Sequence, residues 1–203
     1  MTEQQVLDPA ELKAQIRKQA FGHRKAQENK DQISRQIVTR FMSLPEYESA
    51  ETVKFYVDAR SEVRTRHDLP AALESEKKIV VPWCNEQGEL TLFHLEKMDE
   101  LEIGMYSILE PKNELRHLPE KQVQPQELDL IMVPGVAFDT RGGRTGHGKG
   151  YYDKLLQYAR LDAPLAALAF ECQLFPEIPV MDHDIYMDYV VTEKEAYRGL
   201  GRE

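Results

Sequence analysis

Cysteine is scarce in this chain. Cys84 and Cys172 stand far apart among 203 residues, so neither a CxxC metal knuckle nor a disulfide-knit secreted scaffold is available. Long apolar runs are missing too. The longest, Pro164 to Phe170, falls far short of the roughly 20 residues that span a bilayer. Positive charge is in deficit: 26 Lys and Arg stand against 35 Asp and Glu, a net charge of −9. That balance excludes general binding to the phosphate backbone of DNA or RNA, but not a small anion held by a local basic cluster. The first residues, Met-Thr-Glu-Gln-Gln, carry no apolar signal core. The expectation is a cytoplasmic protein with no membrane and no nucleic-acid partner, acting as a monomer or weak homo-oligomer. Internal repeats and low-complexity tracts are also absent.

What is present suits one globular domain over residues 1–203, with residues 1–7 as a flexible tail: 41% of residues are hydrophobic and 30% charged. Asp8, Pro9 and Glu11 form a helix-start signal, followed by Leu12, Ile16 and Ala20 at helical spacing. Ile33, Ile37, Val38 and Phe41 predict a second helix that ends before Pro45. Strand signals then alternate with helices. Strands are expected at 53–57, 79–82, 90–94, 128–133, 165–170 and 189–192, with helices at 68–77 and 151–160. The polar segment 110–127, with its prolines, reads as a connecting loop. This alternation predicts a single three-layer α/β domain, Rossmann-like, with a mostly parallel central sheet flanked by helices.

The most informative stretch follows the strongest strand. Between Pro134 and Asp153, glycines at 142, 143, 146, 148 and 150 are interleaved with Arg141, Arg144, His147 and Lys149. Glycine lets backbone N–H groups approach an anion, and a following helix start adds partial positive charge. In an acidic protein this basic island points to phosphate. It is no standard P-loop: Gly143-x4-Gly148-Lys149 is followed by Gly150, not the Ser or Thr that holds Mg²⁺. Gly146, Gly148 and Gly150 also miss the GxGxxG spacing. The competing reading is a flexible surface loop.

Other candidates carry weaker signals. Asp153 is either a helix-dipole partner or a Mg²⁺ carboxylate. Asp182, Asp184 and Asp188 read as a solvated acidic turn. Lys13, Arg17 and Arg24 share one helix face, which spacing alone marks as a solvated basic face. Glu62 follows a strand end, where open α/β sheets place ligands. Tyr56, Trp83 and Tyr106 are possible stacking surfaces or ordinary packing. Cys84, Cys172 and the histidines at 23, 67, 94, 117 and 183 show no catalytic or metal spacing.

The run PGVAFD…GGRTGHGKGYYD resembles the signature of the 5-formyltetrahydrofolate cyclo-ligase family. Lys13-x-x-x-Arg17, Glu62-x-x-Thr65, Gly104-x-x-x-Ile-Leu-Glu110-Pro111 and Asp184-x-x-x-Asp188 fall in the family's order, so the resemblance covers nearly the whole chain. It implies MgATP-dependent conversion of 5-formyltetrahydrofolate to 5,10-methenyltetrahydrofolate with release of ADP and phosphate. The formyl oxygen is phosphorylated, then N10 attacks and the ring closes. The resemblance makes Lys13, Arg17, Arg144 and Lys149 catalytic. ATP would contact Lys13, Arg17 and the run Arg144, Thr145, Gly146, His147, Gly148, Lys149, Gly150, Tyr151 and Tyr152. The folate would contact Val57, Glu62, Tyr106, His147, Gly148 and Tyr151, and Mg²⁺ would sit on Asp153 and Asp188.

Two positions and one three-residue segment depart from the family pattern. Thr145 replaces an apolar residue, His147 stands at a variable position, and Ala59-Arg60-Ser61 is a more polar lead-in to Glu62. These bear on affinity and on preference for the folate glutamate tail. The alternative function is a non-catalytic α/β sensing domain that binds a phosphorylated metabolite through the same loop.

Overall fold

The structure is a computed structural model that describes residues 8–104, 107–181 and 184–202. The tail 1–7, Tyr106 and Asp182 lie outside the described residues. Helix α1 (Pro9–Ala26) starts on a proline whose fixed φ suits the first turn, although the Asp8 side chain makes no capping bond. Its buried residues are Lys13, Ile16, Ala20 and Arg24. The face expected to be solvated is thus turned inward and is half basic, whereas Leu12 is exposed. Helix α2 (Lys30–Met42) buries Ile37, Val38 and Phe41, and Pro45 opens a separate short helix, α3 (Pro45–Ser49).

The strands expected from sequence form the sheet. They are β1 (Thr52–Lys54), β2 (Lys78–Cys84), β3 (Leu90–Leu95), β7 (Leu130–Val133), β10 (Leu165–Leu168) and β11 (Tyr189–Val191). Edge strands β6 (Gln122–Val123) and β12 (Ala196–Arg198) complete it. Among the described residues eight strands pair in the order β12-β11-β10-β7-β1-β2-β3-β6. The strands from β11 to β2 are parallel, and β12, β3 and β6 join by antiparallel pairing. The segment expected to be a plain loop, 110–127, therefore supplies an edge strand. It also supplies half of a small hairpin, β4 (Leu101–Ile103) with β5 (Leu109–Pro111).

Alternate side chains of each central strand enter different layers. Leu130, Met132, Ala166 and Leu168 pack with α2, α3 and the short α4 (Leu69–Leu73) on one face. Ile131, Val133, Leu165 and Ala167 pack with α5 (Tyr151–Leu156) on the other. Three layers result, as expected, although α4 and α5 are shorter than their sequence patterns. No helix among the described residues is long and apolar enough to cross a membrane.

The order of the parallel strands reverses between β1 and β7. Successive connections leave this point toward opposite edges, which opens a crevice at the strands' carboxyl ends. Residues 55–58 continue from β1 into it and Pro134-Gly135 from β7.

Candidate active site

A cavity of about 1220 Å³ occupies this crevice. One wall is α1, the floor comes from the ends of β1, β2 and β7, and the opposite wall is the glycine-rich segment. That segment is not a single loop. After Gly135 the chain makes a hairpin, β8 (Ala137–Phe138) with β9 (Arg144–Thr145), and only residues 146–150 remain as the loop before α5. Gly142 and Gly143 belong to the hairpin turn. Buried Asp139 holds that turn, accepting N–H bonds from Arg141 and Gly143 (both 2.9 Å) and from Ile178 (2.7 Å). Within the short loop Gly148 has φ +92°, a conformation that disfavours any side chain.

Four cationic residues line the cavity around this loop. Arg17 donates to the Gly146 carbonyl (2.8 Å) and to the Thr145 hydroxyl (3.2 Å), so α1 grips the loop's first residue. Lys13, one turn earlier, pairs with Asp184. Arg144 is buried, pairs with Asp153 and donates to the Pro134 carbonyl (3.4 Å), while its Nε has no partner. Lys149 is exposed, with its ammonium 5.6 Å from the Tyr151 ring. With α5 only six residues long, the positive field comes from these side chains more than from a helix end.

The other half of the cavity mixes apolar and charged side chains. Val57, Tyr56, Trp83 and Ile108 line it together with the carboxylates of Glu62, Glu86 and Glu110. Glu62 is nearly buried. One oxygen accepts the Ala59 N–H at 2.9 Å, and the other lies 3.3 Å from Nε2 of His147. Further out, Arg116 stacks over the Trp83 indole (4.9 Å) and pairs with Glu110 (3.2 Å). Tyr151 lines the cavity between the two halves.

Two placements differ from expectation. Asp188 does not line the cavity: its carboxylate accepts the Leu165 N–H (2.7 Å) and packs against Gly201. It is a brace between β10 and the C-terminal segment. Asp184, read from sequence as part of a solvated turn, faces the cavity instead, at the far end of Lys13. No cluster of three or more His, Cys, Asp or Glu side chains is poised for a metal among the described residues. Asp153 and Asp184 are the two aspartates of the cavity wall.

Sequence reading also passed over Lys54. Its side chain is fully buried beneath the cavity, and Nζ donates to the Met132 carbonyl (3.0 Å) and the Tyr152 hydroxyl (2.7 Å). Burial drives its pKa well below 10.5, and Arg144 pushes the same way. Burial also pushes the Tyr152 phenol far up, and Glu62 adds to that. Arg24, whose guanidinium is bound to the Gly135 carbonyl (3.1 Å) and Ser61 Oγ (3.0 Å), ties α1 to both lips of the crevice.

Comparison with known proteins places this arrangement in a family. The chain is 31% identical to the probable 5-formyltetrahydrofolate cyclo-ligase of Schizosaccharomyces pombe, an alignment covering 84% of this chain and 88% of that protein. It is 28% identical to the 5-formyltetrahydrofolate cyclo-ligase of Escherichia coli K12, over 84% and 93% of the two chains. The solved structure of Aquifex aeolicus 5,10-methenyltetrahydrofolate synthetase superposes with a TM-score of 0.80. There the identity is 32%, with 95% of each chain covered. The sequence model of the 5-formyltetrahydrofolate cyclo-ligase family matches residues 9–193. This chain belongs to that family.

Proposed function

We propose that this protein is an ATP-dependent 5-formyltetrahydrofolate cyclo-ligase, converting 5-formyltetrahydrofolate to 5,10-methenyltetrahydrofolate with release of ADP and phosphate. The observation that carries this reading is the two-sided cavity. One half is a short glycine loop ringed by Lys13, Arg17, Arg144 and Lys149, suited to a polyphosphate. The other has an apolar wall on which Glu62 stands between Val57 and the glycine loop. A pterin ring offers a planar apolar face and an edge of adjacent N–H donors. Val57, Tyr56 and Trp83 suit the face, and an ionised Glu62, an acceptor only, suits the edge.

The chemistry needs both halves in one space. A formamide carbon is a weak electrophile until its oxygen is converted to a phosphate leaving group. The formyl oxygen takes the γ-phosphoryl group, N10 then attacks the formyl carbon, and phosphate departs as the ring closes. Arg17 and Lys149 are assigned to the transferring phosphoryl group, and Lys13 and Arg144 to the neighbouring phosphates. Their task is positioning and neutralising charge that spreads over phosphoryl oxygens. Lys13 and Arg144 now neutralise Asp184 and Asp153. Incoming phosphates would draw both cations inward and release the two carboxylates. Carboxylate oxygens are the donors Mg²⁺ takes, so Asp153 and Asp184 would hold it, and the ion would supply further neutralisation of phosphate charge.

The test is turnover of (6S)-5-formyltetrahydrofolate with and without MgATP, followed by the near-ultraviolet absorbance of the methenyl product. MgATP-dependent product is expected. ATP binding without product would move the acceptor to another substrate. Absence of both would favour a sensing domain.

A further inference from the structure

His147 of the glycine loop and Glu62 touch where the two halves of the cavity meet. We propose that His147 is a positioning residue that caps the free oxygen of Glu62 until an anion enters the loop, so that filling the phosphate half opens the pterin half. This inference rests on the assignment of Glu62 to the folate.

Glu62 has two oxygens and little exposure. Oε2 is committed to the Ala59 N–H at 2.9 Å, which fixes the carboxylate within its own turn. Oε1 accepts nothing within that turn, and the His147 ring sits on it at 3.3 Å. A carboxylate only accepts, so the imidazole must donate through Nε2–H. A donor pair on a planar ring then has to share Oε1 with that N–H and approach it past the imidazole, which weakens its bond to the carboxylate. The side chain of His147 is 44% exposed against 9% for Glu62, so the histidine is the partner free to leave.

The backbone allows it to leave in one direction. Gly146 and Gly148 flank His147, and Gly148 already holds φ +92°. The Gly146 carbonyl is fixed by Arg17, so the loop pivots about a held residue. On its other side the ring lies against Phe21 of α1, 5.5 Å between centroids. The cations that line the same wall, Arg17, Arg144 and Lys149, are those assigned to phosphate. An anion bound among them offers the imidazole N–H an acceptor of equal or greater charge. The histidine then exchanges one acceptor for another at small cost, and Glu62 Oε1 becomes available.

Coupling of this kind is reciprocal: nucleotide tightens folate by the same factor as folate tightens nucleotide. The His147 contact is long and half exposed, so the expected factor is at the low end of measured couplings, about 5-fold.

The experiment is calorimetric titration of (6S)-5-formyltetrahydrofolate into the full-length protein. It is run with and without the Mg²⁺ complex of β,γ-imido-ATP, which binds without transferring phosphate. Wild type is expected to bind the folate about 5-fold tighter in the presence of the analogue. His147→Ala is expected to bind as tightly without the analogue as wild type does with it, and to show no further tightening. His147→Gln, which keeps an N–H donor, should restore coupling. The proposal is overturned if nucleotide leaves folate affinity of wild type unchanged. It is equally overturned if His147→Ala keeps the coupling, or if that variant weakens folate in the absence of nucleotide. Glu62→Gln separates these failures from failure of the functional reading. Wild type that binds no folate, or Glu62→Gln that binds it normally, removes Glu62 from the folate site and the proposal with it.

Discussion

Replacing Lys54 by methionine should abolish a specific part of the pH dependence of stability. Lys54 lies within β1 with its side chain fully buried and its Nζ bonded to Met132 O and the Tyr152 hydroxyl. Burial lowers its pKa well below 10.5, helped by the Arg144 charge and opposed by Glu62. The folded protein therefore releases this proton at lower pH than the unfolded chain does. Between the folded pKa and 10.5 the unfolded chain binds more protons, so stability rises with pH through that window. Below the window both states carry the proton and the cost of burying a charge is at its full value.

At full effect the slope is one proton, about 1.4 kcal/mol per pH unit. As pH rises toward 10.5 wild type should therefore gain stability relative to Lys54→Met, at up to this slope. Methionine is unbranched and flexible enough to fill the same channel, so a collapsed core does not confuse the comparison. The buried Tyr56 phenol, also pushed up by burial, titrates in both proteins and drops out of the difference. Urea unfolding at half-unit pH steps measures it. Parallel stability curves for the two proteins over that range would show that Lys54 keeps its proton inside the sheet, and would refute the argument.

Four further outcomes follow from the site and its supports. Lys149→Ala should lower kcat/KM by about 10²–10³ with an unchanged melting temperature, because the side chain is exposed and faces the loop. A loss under threefold would remove Lys149 from the phosphate site. Asp184→Asn should raise the Mg²⁺ concentration needed for half-maximal turnover. Asp188→Asn should instead lower stability by about 1–3 kcal/mol, since it weakens the acceptor of the Leu165 N–H, and leave the Mg²⁺ requirement alone. The reverse pattern would return the metal to Asp188. Gly142→Ala should cost about 3 kcal/mol or more in a denaturant melt, because φ is +92° and the new Cβ would meet the Met187 carbonyl at 2.2 Å. An unchanged midpoint would contradict that geometry.

The fold was legible where hydrophobic patterning is strong. The central strands are nearly continuous apolar runs, so β2, β7, β10 and β11 stand where the pattern puts them. Edge strands β6 and β12 and the β8–β9 hairpin are short, and no run of two or three residues carries a period. The site was legible at its glycines and cations but not in their division of labour. A glycine in a hairpin turn and one in an anion loop look alike in sequence, and only the pairing of Ala137 with Thr145 separates Gly142 from Gly146. Asp184 and Asp188 differ in role because the chain bends at Asp188 as it enters β11, which spacing does not encode. Lys54 had a signal: a lysine within the apolar run VKFYV has either to leave the sheet or to be buried with partners.

The β8–β9 hairpin has a consequence for the entropy of ligand binding. A loop running freely from Gly142 to Gly150 would have nine residues to order when a polyphosphate arrives. Fixing a residue's backbone costs about 1–2 kcal/mol. By pairing Arg144 and Thr145 to β8 and clamping the turn on Asp139, folding itself orders the first four residues. Only residues 146–150 are left to settle around the ligand, so about 4–8 kcal/mol of ordering is removed from the binding step. The loop keeps enough freedom for His147 to change partners while its anchor residues meet the ligand already in place.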